Sequence, residues 1–214
     1  MKRLLLDTNI YGLMVADNDF HKLHEVIENN RKLIKVYGLN LIRRELKSAP
    51  RKVIHGVNVQ ATLLRAYTSF ICKEYEVDYF LKEIAEEYFR VYLQQGGEFS
   101  REEMISDFLI VACASVKDIP IVVSEDNATL ANEFARKAYA SVNKNRGITL
   151  PSFIRYNEFK CEILRTSSNP IVNSSNKFWI FLSFFNIFPL ILFSLHTFTK
   201  ESLIYKDFVL TNND

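Results

Sequence analysis

The sequence predicts an α/β protein with a central, mainly parallel sheet over residues 1–160, followed by an extension of different composition. Three observations predict it. Short apolar runs alternate with amphipathic segments of helical period. Two of those runs, Lys2–Leu6 and residues 119–123, end just before the acids Asp7 and Asp126, as strands do when their ends line a crevice. From Glu162 onward the chain has no alanine, glycine, methionine or glutamine, yet it holds 8 of the 17 phenylalanines.

Residues 2–6 form a strand that stops at Asp7, and a helix follows through residues 20–32, where Leu23, Val26 and Ile27 recur at helical spacing. Residues 33–39 are a second strand with Gly38 near its end, and Asn40 is expected to cap a helix that carries Glu45 on its second turn. Residues 59–95 read as a helical pair ended by Gly96 and Gly97. Ser100-Arg101-Glu102-Glu103 is a capping box opening a helix over 101–116. Residues 119–123, β-branched and entered through Pro120, suit a buried parallel strand. A helix over 128–142 and a last strand within 148–154 complete the expected order.

At 214 residues, with 48% hydrophobic and 24% charged, the chain supports a packed core, and general disorder is excluded. A net charge of +2 excludes nonspecific charge as the whole basis of nucleic-acid binding, so local patches must supply it. The three cysteines are odd in number and widely spaced, and an acid at position 7 interrupts any signal-peptide pattern; a reducing, cytoplasmic setting is expected. Residues 178–199 form a 22-residue uncharged run bracketed by Lys177 and Lys200, long enough to cross a bilayer, although Asn186, Pro189 and His196 interrupt it. A membrane span, a partner-buried helix and an unstructured extension all remain open from composition alone.

Four acids, Asp7, Glu45, Asp107 and Asp126, occupy strand ends and helix turns from which carboxylates reach one end of a sheet. Such a cluster repels itself unless cations occupy it, and hard oxygen donors select Mg²⁺ or Mn²⁺. The chemistry that needs this arrangement is phosphodiester hydrolysis, with one ion activating water and another stabilising the leaving oxygen. No histidine base is required; His21, His24 and His55 stand in polar contexts and His196 in the apolar extension. Asp107, flanked by Ile105, Phe108 and Leu109, is the acid that burial would most penalise without a partner. Glu125 stands beside Asp126 as an alternative fourth ligand.

The segments LLLDTNI, LIRRELK, ISDFLIVACA and IVVSEDN resemble, in order and placement, the motifs of the PIN-domain nucleases over about residues 1–160. The resemblance implies a three-layer α/β/α fold in which Asp7, Glu45, Asp107 and Asp126 hold Mg²⁺ or Mn²⁺, with Thr8, Asn9 and Ser124 as supporting polar groups. It also implies RNA as substrate and, for small members of the VapC type, a toxin role with an antitoxin partner and a homodimeric state. Arg43, Arg44 and Lys47, beside Glu45, are candidates for contacting an RNA backbone, with Arg51, Lys52, Arg136, Lys137, Lys144 and Arg146 as further cations. Two readings from different classes stand side by side: a metal-dependent endoribonuclease, and a noncatalytic PIN-like module that binds RNA or protein and is tethered to a membrane through 178–199. Residues 161–214 have no counterpart in the family's pattern.

Overall fold

The computed structural model describes residues 1–54 and 57–167. His55, His196 and the apolar run at 178–199 therefore lie outside the described residues. The elements are β1 (Lys2–Leu6), α1 (Thr8–Ala16), α2 (Phe20–Asn29), β2 (Ile34–Leu39), α3 (Asn40–Ser48), β3 (Val53–Ile54), β4 (Val57–Asn58), α4 (Val59–Phe70), β5 (Ile71–Tyr75), α5 (Tyr79–Gln94), α6 (Arg101–Val116), β6 (Ile121–Val123), α7 (Glu133–Arg146), β7 (Ser152–Ile154) and α8 (Tyr156–Ser167).

Five strands pair in the order β5-β2-β1-β6-β7, all parallel, and β3 and β4 form a separate small antiparallel hairpin. This is the α/β architecture expected from the sequence. β1 lies at the centre, and its consecutive Leu4, Leu5 and Leu6 are all buried because helices cover both faces of the sheet. α1, α2, α3, α4 and α8 pack among themselves, as do α5, α6 and α7. Since parallel crossovers are right-handed, the connections leaving β1 toward β2 and leaving β6 toward β7 take opposite faces. The crevice between the carboxyl ends of β1 and β6 is thus the topological switch point of the sheet, where open α/β sheets hold their ligands.

Aromatic packing fixes how α6 sits. Phe108 is buried against Tyr139 of α7 at a centroid distance of 5.6 Å and against Tyr88 of α5 at 6.1 Å, while Tyr88 and Tyr139 meet at 4.9 Å. Each such pair contributes about 0.5–1.5 kcal/mol beyond burial. Seating Phe108 in that cluster sets the direction of Asp107, about 100° round the helix.

Several sequence-based expectations change. The stretch 59–95 is a helical pair interrupted by β5, an edge strand parallel to β2. Asn40 does not cap: it is the first residue of α3, and its side-chain oxygen instead accepts from the Val77 backbone at 3.2 Å while its amide reaches Glu76. The helix expected from residue 128 begins at Glu133, after a turn organised by Asp126. The capping box of α6 forms as expected, with Ser100 accepting from the Glu103 backbone and Glu103 from the Ser100 backbone. α8 crosses the change in composition near 162, burying Phe159 and Ile163 and pairing Glu162 with Lys2 at 2.7 Å. Gly38 in β2 is required by close approach, since a Cβ there would overlap the Tyr67 hydroxyl. Among the described residues no helix is long and apolar enough to cross a membrane. All three cysteines are free.

Candidate functional site

Asp7 follows the last residue of β1 and serves as N-cap of α1, so strand direction delivers it into the crevice and the helix start holds it there. One carboxylate oxygen accepts from the Thr8 backbone at 2.6 Å. The other accepts from Asn9 Nδ2 at 2.8 Å and from Ser124 Oγ at 2.6 Å. Ser124 follows β6, and its hydroxyl also accepts from the Asp126 backbone at 2.9 Å, tying the two strand ends together. Thr8 donates its hydroxyl to Glu45, which α3 brings in from the β2 side. Thr8, Asn9 and Ser124 each hydrogen-bond one or more of these acids.

The acids share one electrostatic field. Burial, opposed by the Ser124 and Thr8 hydrogen bonds and reinforced by Glu45 and Asp126, pushes the Asp7 carboxyl up to about 6. Asp107 is raised well above the ordinary carboxylate range, first by burial and next by the charge of Asp7, with Asp126 and Glu45 adding and the Thr129 hydrogen bond opposing. Among the described residues, no lysine or arginine forms an ion pair with Asp7, Asp107 or Asp126. Uncompensated repulsion is what divalent cations relieve, and an all-oxygen donor set is what Mg²⁺ and Mn²⁺ prefer. In that chemical sense the donors fit such ions. As the side chains stand, however, no group of three His, Cys, Asp or Glu among the described residues converges closely enough to hold one ion. The carboxylates meet the hydroxyls of Thr8, Ser124 and Thr129.

Glu125 and Asp126 have different tasks. Glu125 accepts the first backbone N–H of α8, from Tyr156, at 2.8 Å. Asp126 accepts from the Ala128 and Thr129 backbones, both at 2.8 Å, and is the neighbour whose charge reaches Asp7 and Asp107. Arg43 pairs with Glu74 at 2.8 Å and lies over the Tyr67 ring, whereas Arg44 and Lys47 are exposed. Arg146 is engaged by Glu83 and Glu87, and Lys137 by Glu133. Sequence reasoning missed Thr129, which contacts two of the four acids. The available signal was local: a threonine three residues after an aspartate, a spacing that favours side-chain hydrogen bonding in a turn.

No family model and no curated protein matches the chain. Among solved structures, the crystal structure of VapBC2 from Rickettsia felis bound to a DNA fragment from their promoter is similar. It shares 14% identity over 71% of this chain and 97% of that chain, with a TM-score of 0.47.

Proposed function

We propose that this protein is a metal-dependent endoribonuclease of the PIN class, with Asp7, Glu45, Asp107 and Asp126 as its acids. The observation that carries the reading is geometric: Ser124 joins Asp7 to the Asp126 backbone, Thr8 meets Glu45, and Thr129 meets both Asp107 and Asp126, so acids from two strand ends and two helices are linked at the switch point. Mg²⁺ or Mn²⁺, when bound by these carboxylates, supplies an activated water and stabilisation of the leaving oxygen. The chain's own part is to hold the acids in place: Ser124 and Asn9 fix the Asp7 carboxylate, and Thr8 fixes Glu45. Arg44 and Lys47, exposed on the helix that carries Glu45, are placed to attract the RNA backbone, while Arg43 braces the fold through Glu74. The motif resemblance extends the proposal to a toxin of the VapC type, working as a homodimer and restrained by an antitoxin.

The test is cleavage of a synthetic RNA by purified protein with Mn²⁺ and with chelator, for the native chain and for Asp107→Asn. Cleavage only by the native chain with Mn²⁺ supports the proposal; equal cleavage by both proteins defeats it. The alternative reading is a noncatalytic binding module, which needs no metal. Calorimetry separates the two, because the module predicts no Mn²⁺ affinity that Asp107→Asn removes.

A further inference from the structure

Thr129 lies in the turn between β6 and α7, three residues beyond Asp126. Its backbone N–H donates to one oxygen of Asp126 at 2.8 Å, and its hydroxyl lies 2.7 Å from the other. The same hydroxyl contacts Asp107 of α6, 22 residues away in the chain. If the hydroxyl served only the turn, its contact with Asp126 would suffice. Yet Thr129 is also the single hydrogen-bonding side chain that meets the Asp107 carboxylate among the described residues. A threonine hydroxyl has a single proton to donate, and with both carboxylate oxygens in reach that proton is shared between them as a bifurcated bond, which ties α6 to the turn through one donor.

We propose that Thr129 is a positioning residue that sets the spacing of Asp107 and Asp126, and so the shape of the donor set a divalent ion would meet. The consequence for metal rests on the nuclease reading above; the bridge itself does not. Groups that orient ligands in this way typically change metal affinity about 10–100-fold when removed.

The experiment has a metal-free arm and a metal arm. In chelator, a double-mutant cycle joins Thr129→Val with Asp107→Ala, read by urea midpoints. Non-additive midpoint shifts are expected; additive shifts overturn the bridge. In the metal arm, calorimetric Mn²⁺ affinity is expected to fall about 10–100-fold in Thr129→Val. Thr129→Ser, which keeps the hydroxyl, is expected to restore it. Equal affinity in the valine and serine variants overturns the positioning role, and Thr129→Ala replaces the valine variant if that protein does not fold. A native chain that neither binds Mn²⁺ nor cleaves RNA defeats the nuclease reading, and the metal-free cycle then still decides the bridge.

Discussion

Mild acid is expected to stabilise the metal-free protein between pH 7.5 and pH 5, against the usual behaviour of a protein losing carboxylate charge. Burial, with Glu45 and Asp126 acting in the same sense against hydrogen bonds from Ser124 and Thr8, raises Asp7 from 3.8 to about 6. A carboxyl with a higher value folded than unfolded binds its proton more tightly in the folded state. Its contribution is fully present below about 3.8 and is lost as pH rises through about 6. Linkage between those two values gives about 1.4 kcal/mol of added stability on moving from pH 7.5 to pH 5. For a domain of this size, that is about 3–6 °C in Tm. Asp107, raised first by burial and then by Asp7, adds in the same direction. Carboxylates held low by partners, such as Glu28 beside Arg31 and Glu87 beside Arg146, lose their contribution only at lower pH and leave this window nearly unaffected. The assay is a set of thermal melts across the window, in chelator, for the native chain and for Asp7→Asn. The native Tm should rise with acid, and the substitution should remove the Asp7 share of that rise. Saturating Mn²⁺ should reverse the slope, because protons then compete with the ion. A native Tm that is flat or falls toward pH 5 in chelator, or a slope that Asp7→Asn leaves unchanged, refutes the reasoning.

Two further outcomes are expected. Glu125→Ala should lower stability by about 1 kcal/mol through loss of the acceptor at the start of α8 while leaving RNA cleavage near native, and Asp126→Asn should do the reverse. Urea denaturation and a cleavage assay read both, and a cleavage loss confined to Glu125→Ala would move the ligand role to that residue. Asn143→Ala should cost about 1–3 kcal/mol, because Tyr88, Ser115 and the Thr149 carbonyl then lose a buried partner. An unchanged urea midpoint would contradict the assigned network.

What the sequence by itself determined is local. β1 is legible because its apolar run ends at Asp7 after five residues, too short for a helix and suited to a strand covered on both faces. α6 is legible to the residue because its capping box satisfies its own backbone donors. Asp7 stands one residue beyond β1, Asp107 beside the core Phe108 of α6, and Asp126 three residues beyond β6. Tertiary structure decided whatever depends on a distant partner. β5 carries exposed Cys72 and Lys73, and it becomes a strand only because β2 offers an unpaired edge. Asn40 looks like a cap in sequence, but β5's exit at Glu76 and Val77 claims its side chain. Glu125 and Asp126 are adjacent and chemically alike, and only the arrival of the α8 N-terminus separates them. Thr129 is one more polar turn residue until α6 brings Asp107 against its hydroxyl. A residue's own neighbours in the chain set its backbone, whereas hydrogen bonds across the crevice exist only once the sheet has brought its strand ends together.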